Sequence, residues 1–221
     1  MKLDPATPIR EIALALPGAT TIFERVGLDY CCAGSASLAS ACRAAGLSLE
    51  SVLASLDDAS QAAGNVASFH DWRAERKAAV AAHLVDHNYV VEREKMADTS
   101  ALMAKVVSVH GASHPELREI ATLWADLCGS LRAHLHYEGK ELEPLKDDAE
   151  PTRDSVKRMK AFHGQHEEVV ALAHRIRVLT DNYHPPSDAC EALESLYRDL
   201  ETFEADLHEH VLLADNVLFR D

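Results

Sequence analysis

Residues 133–144 read AHLHYEGKELEP. His134 and Glu138 stand four residues apart, one turn of an α-helix, so a helix there puts them on one face. Leu131, Leu135 and Leu142 share that face, which turns it at least partly inward. An imidazole and a carboxylate stacked in this way can grip one metal ion. Three more histidine patches lie on segments that read as helix: His87 in HLVDHNY, His166 in FHGQHEE and His210 in HEHVLLADN. Asp215 follows His210 by five residues, rotated roughly 140° from it around a helix. A long reach by both side chains would absorb that offset. Four helices that each point such a patch inward can hold two metal ions in the core of a bundle. Ligation by histidine and carboxylate without thiolate favours iron or manganese over a structural zinc.

The plain alternatives are a surface His134–Glu138 pair, which contributes little, and an Asp215 solvated near a helix end. Buried, unpaired histidines and carboxylates in one core would cost several kcal/mol. A metal pair removes that cost, so the constellation points to metal. His163, three residues before His166, and His83, one turn before His87, are candidate additional ligands. The remaining histidines read as surface or turn residues.

The chain has 221 residues, enough for one sizeable core and a small accessory domain. Its formal charge of -14 argues against nucleic acid as a partner, because phosphate attraction needs clustered Lys and Arg. No apolar run is long enough to span a bilayer. The opening MKLDPATPIREIALALPG lacks the continuous apolar stretch of a signal peptide, so the expected location is the cytoplasm. The five cysteines are odd in number, and Cys31 and Cys32 are adjacent. A disulfide framework is therefore a poor reading.

Plentiful alanine, leucine and glutamate with little glycine and proline favour helix, and no stretch alternates as a strand would. The expected fold is all-α. Residues 1–58 read as a small N-terminal helical domain, 59–68 as a linker of flexible composition and 69–221 as a bundle. Pro8 opens the first short helix. Thr20 or Thr21 caps a second, which Gly27 ends, Gly46 closes a third and Ser48 caps a fourth. In the bundle, helices are expected over 69–109 (broken near Asp98-Thr99), 115–142 (ended by Pro144), 152–180 and 188–218. Short connections imply up-down-up-down topology. The pair Cys31-Cys32 reads either as two small buried hydrophobes or as a thiolate nucleophile and transient metal ligand.

LDYCCAG at 28–34, followed by SLASAC and Gly46, resembles the N-terminal domain of the repair-of-iron-centres proteins, the bacterial di-iron iron–sulfur cluster repair proteins. The resemblance continues through KVVSVHGASHPEL, AHLHYEG, HEEVVAL, TDNYHPPSDAC and ADNVLF and covers almost the whole chain. It implies a hemerythrin-like four-helix bundle with a non-haem di-iron centre, and a role in restoring iron–sulfur clusters damaged by nitric oxide or oxidants. Carried over by motif, the ligands are His87, His134, Glu138, His166 and His210. Where the family has a carboxylate four residues after the last histidine, this chain has Ala214, with Asp215 one residue later. A histidine followed five residues on by aspartate is the pattern of the oxygen-carrying hemerythrins. The family's Leu-Phe-Pro is here Leu142-Glu143-Pro144.

The implied partners are nitric oxide or oxygen and damaged iron–sulfur proteins, with a homodimer left open. The bundle would store or deliver iron, or reduce bound nitric oxide, while Cys31 and Cys32 meet the client cluster or the iron in transfer. Two rivals remain: a di-iron sink or sensor for nitric oxide or oxygen without a client, and a metal-free helical interaction module, which Ala214 keeps open.

Overall fold

A computed structural model describes residues 3–63, 70–149 and 152–219. No strand occurs among the described residues, where helices account for the regular structure. The chain divides into two compact units. One comprises residues up to Arg76 together with those from Val211 on, and the other is Lys77–His210.

The first unit begins with α1 (Ile9–Ala15), α2 (Ala19–Val26), α3 (Leu38–Ala44) and α4 (Leu49–Ala63). Their apolar sides bury Ile12, Phe23, Leu38 and Leu56, and α4 packs on α2 and α3. Two serines start helices as expected for short hydroxyl side chains. Ser37 Oγ accepts from the Ser40 amide at 3.2 Å, and Ser48 Oγ accepts from the Ser51 amide at 3.3 Å. Gly27 ends α2 with φ of 72°, a left-handed cap that glycine adopts without steric cost. Helix α2 starts at Ala19 behind Gly18, ahead of the threonines expected to cap it. Helix α4 runs five residues into the stretch read as a linker. The rest of that stretch, residues 64–68, lies outside the described residues.

The second unit is an up-down-up-down four-helix bundle. Its first long helix is composite: α5 (Lys77–His83), a π-helical turn (Leu84–Asn88) and α6 (Tyr89–His110). No break occurs at Asp98-Thr99. Then come α7 (Glu116–Lys146), α8 (Arg153–Leu179) and α9 (Glu191–Leu213), the last continuing as a second π-helical turn, Ala214–Leu218, in the first unit. Helix α7 packs against α5, α6 and α8. It passes through Pro144, where an ending was expected. Proline removes an amide and crowds the preceding turn, and here the helix closes within the next turn. Thr152 caps α8, its Oγ1 accepting from the Ser155 amide at 3.0 Å.

After α8 the chain turns through Asp181, Asn182 and Tyr183, all at positive φ. Asp and Asn tolerate that region, whereas tyrosine is strained there. Two bonds hold Tyr183 in place. Its amide donates to Thr180 Oγ1 at 3.2 Å, and its hydroxyl donates to Glu204 Oε2 at 2.7 Å. Arg177 Nε donates to the same Glu204 oxygen at 2.8 Å, so a buried ion pair ties α8 to α9.

Candidate metal centre

The inward faces of α7, α8 and α9 are apolar stripes with a histidine set into each. On α7 the buried run is Leu127, Leu131, His134, Leu135, Glu138 and Leu142. On α8 it is Met159, Phe162, His166, Val169 and Ala173. On α9, Phe203 and Leu207 precede His210. The 3.6-residue period carries each histidine into the core with its leucine and phenylalanine neighbours. His134, Glu138, His166 and His210 are each 1% exposed or less.

These four side chains converge. Glu138 Oε2 lies 3.0 Å from His134 Nε2 and 2.9 Å from His210 Nε2. His166 Nε2 lies 2.9 Å from His134 Nε2 and 3.6 Å from Glu138 Oε1. One ligand atom from each residue falls within 4.8 Å of all the others. Behind the cluster, His134 Nδ1 faces Gln165 Oε1 at 3.1 Å and His210 Nδ1 faces Glu92 Oε1 at 3.0 Å. A proton on each Nδ1 satisfies these outer acceptors, and an inward Nε2 that gives up its proton to an entering cation is then in the tautomer a metal ligand needs. Tyr89, on α6, donates its hydroxyl to Glu138 Oε2.

Electrostatics make the centre a cation trap. Burial by itself would push the Glu138 carboxyl up, but the facing imidazoles of His134, His166 and His210 outweigh it and hold the group well below its usual range. Burial would lower His210, yet the Glu92 charge and the bonds to Glu138 and Glu92 raise it to about 10. Burial and the Glu138 charge push the Tyr89 phenol up, so it stays a donor. Two buried carboxylate oxygens, Glu138 Oε1 and Glu92 Oε2, have no hydrogen-bond partner. Unpaired buried acceptors of this kind are costly. Three imidazoles and a carboxylate with an oxygen that accepts no hydrogen bond are the donor set of a first-row transition metal with N/O preference, so the residues fit a metal ion.

The structure brings together four of the six residues expected as ligands. His87 is not among the clustered residues, and Asp215 belongs to the first unit. His87 is exposed on the first π-helical turn, its ring stacked on that of His83 at 5.0 Å. The buried stripe of α6 is Tyr89, Glu92, Met96, Thr99, Met103 and Val106. That three-four repeat sets the phase, and His87 falls off it. Asp215 is half-buried in the second π-helical turn, and Ala214 before it is buried. His163 is half-buried and pairs with Glu167 at 3.6 Å. Glu92 and Tyr89 were missed. Their signal was available: a glutamate spaced with methionines and a valine on one helical face is a charge in an apolar stripe.

The cysteine pair sits in the first unit, on a turn organised by Asp29. Asp29 Oδ1 accepts from the amides of Cys31 and Cys32 at 3.2 and 2.9 Å, and from Cys31 Sγ at 3.3 Å. Asn216 Nδ2 donates to the Cys31 carbonyl at 2.9 Å. Gly34 has no room for a side chain, since a Cβ there would meet the Tyr30 carbonyl oxygen at 2.3 Å. Cys31 is buried. The hydrogen bond with Cys32, then burial, push its thiol well up, so it is a thiol and not a thiolate. Cys32 is half-buried and accessible. Asp29, Cys31 and Cys32 form a second compact group of potential ligand atoms.

A four-helix bundle with three histidines and a glutamate converging in its core defines a helical, non-haem metal-binding protein. The chain belongs to the hemerythrin HHE cation binding domain family, which matches residues 78–221, and shares the family of the bacterial relatives that align with 96% of it. Residues 6–60 match ScdA_N, a domain of unknown function. The iron-sulfur cluster repair protein YtfE of Edwardsiella ictaluri is 31% identical over 96% of this chain and 94% of its own length. A probable iron-sulfur cluster repair protein of Haemophilus influenzae is 28% identical over the same shares. YtfE of Citrobacter koseri is 26% identical, again over 96% and 94%. Among the described residues no helix is long and apolar enough to cross a membrane.

Proposed function

We propose that this chain is a di-iron protein that takes part in restoring iron–sulfur clusters damaged by nitrosative or oxidative stress, in the cytoplasm. The observation that carries the reading is the convergence of three histidine Nε2 atoms on Glu138, whose second oxygen accepts no hydrogen bond and meets His166 Nε2 at 3.6 Å. His134, His166, His210 and Glu138 would hold the metal. Bound iron supplies one-electron chemistry and open positions for nitric oxide or oxygen. The chain's own part is to orient the imidazoles, to surround them with Leu131, Leu135 and Phe162, and to hold the Tyr89 hydroxyl as a donor to Glu138. Clients would be proteins with damaged clusters, as the relatives' names say of those proteins.

Cys32, half-buried beside the buried Cys31, is the thiol that would meet iron in transfer or a client cluster. The test has two stages. Protein purified anaerobically after iron-replete growth should carry about two irons per chain, and it should restore a cluster enzyme damaged by nitric oxide. Zinc or no metal would sink the centre. A double Cys31→Ser, Cys32→Ser variant should keep the iron spectrum and lose the restoring activity. A second reading, a sink or sensor for nitric oxide or oxygen without a client, is favoured by the protonated, buried state of Cys31, and iron binding with no restoring activity would select it.

A further inference from the structure

Helix α6 places no histidine in the cluster, yet it buries one charge there. Glu92 is fully buried and is the only charged residue among the buried residues of α6. A carboxylate in that position costs several kcal/mol unless it is paired. Its Oε1 faces His210 Nδ1 at 3.0 Å, and its Oε2 has no hydrogen-bond partner. The two nitrogens of an imidazole point to opposite edges of the ring. With Nε2 on Glu138, the Nδ1 edge faces away from the cluster, and Glu92 sits behind the ligand instead of among the ligand atoms. The counterpart behind His134 is the neutral amide of Gln165. The two histidines are thus held differently, one by an amide oxygen and one by a full negative charge.

We propose that Glu92 is the positioning residue of the metal centre: it fixes the His210 ring with Nε2 inward and makes that nitrogen the more basic ligand. The proposal rests on the reading of the cluster as a metal site. A carboxylate behind a ligating imidazole locks its tautomer and strengthens its donation, and removing such a partner weakens metal binding by about 10–100-fold. A merely structural Glu92 would instead support the fold whether or not metal is present.

Two variants of the full chain separate these roles. Glu92→Gln keeps volume and an acceptor oxygen but gives His210 the kind of neutral partner that His134 has. Glu92→Leu removes the acceptor as well. The readouts are ferrous iron affinity, by anaerobic competition with a chromogenic chelator, the ligand-field spectrum of the cobalt(II) form, and the melting temperature of the metal-free protein. Expected is a weakening of about tenfold for Glu92→Gln and about a hundredfold for Glu92→Leu. The cobalt spectrum should shift in both, and the metal-free melting temperature of Glu92→Gln should stay at the wild-type value. Wild-type iron affinity and cobalt spectrum in both variants would overturn the proposal and leave the metal centre standing. A metal-free melting temperature that falls in Glu92→Gln with iron affinity unchanged would make Glu92 structural. A wild-type chain that takes up neither iron nor cobalt would overturn the metal centre itself, and the role of Glu92 with it.

Discussion

At the scale of single residues, the centre separates side chains by the apolar stripe they occupy. His134, His166 and His210 lie on stripes of leucine, phenylalanine and valine, whereas His87 is exposed. His134→Ala and His166→Ala should therefore each lose iron, and His87→Ala should bind the same number of irons as the wild type, measured by metal analysis after identical purification. Loss of iron in His87→Ala would show that the ligand set includes the π-helical turn. Tyr89→Phe removes one donor from a buried carboxylate, a change of about 1–3 kcal/mol. In a unit of this size that lowers the metal-free melting temperature by about 2–4 °C per kcal/mol. An unmoved midpoint would mean that the Tyr89–Glu138 bond contributes nothing to the fold. The offset of four between His134 and Glu138 was legible in the sequence because one helical turn is a local property. The contribution of Glu92 depends on which way α6 is turned, which is set by the apolar repeat of Met96, Met103 and Val106 along the whole helix and not by any single turn.

At the scale of elements, periodicity revealed the long helices and not their irregularities. The all-α class, the helical N-terminal domain and the four-helix bundle all follow from apolar stripes and from glycine, proline and serine at helix ends. The π-helical turns at Leu84–Asn88 and Ala214–Leu218 do not. Each adds a residue to a turn, so spacings counted as 3.6 across HLVDHNY or HVLLADN lose phase there. Both unconfirmed ligand candidates, His87 and Asp215, lie in these turns. Two elements yield sharper expectations. Thr152→Ala removes the N-cap of α8 and should destabilise the bundle by about 1 kcal/mol, read as a shift in the denaturant midpoint, and a midpoint equal to the wild type would mean that water replaces the cap. Glu204→Leu leaves Arg177 buried without its carboxylate and frees the strained Tyr183 hydroxyl. Breaking one side of such a pair costs about 3–5 kcal/mol, so this variant should unfold far more readily than Thr152→Ala. Equal effects would show that the α8–α9 tie is not what holds that turn.

At the scale of the whole molecule, the cluster belongs entirely to the unit Lys77–His210, so metal binding acts on the stability of that unit. The chain offers a reporter for it. Of its two tryptophans, Trp72 lies in the first unit, and Trp124 is buried in the bundle, its indole nitrogen donating to Ser100 Oγ at 2.9 Å. In a Trp72→Phe variant the emission of Trp124 follows the bundle alone. A ligand that binds only the folded state stabilises it by RT ln(1 + [L]/Kd), about 4 kcal/mol at a thousandfold excess over Kd. At about 2–4 °C per kcal/mol, the Trp124 midpoint of the iron-loaded protein should lie roughly 8–16 °C above that of the chelated protein. Restoring ferrous iron anaerobically should bring it back. The shift should vanish in His134→Ala, because a centre stripped of a ligand no longer couples metal to folding. A midpoint that ignores chelation in the parent variant would mean that the buried histidines and glutamates serve the fold without a metal. The Glu138 oxygen without a hydrogen-bond partner argues against that outcome, because a buried acceptor facing three histidines would gain a partner from a cation.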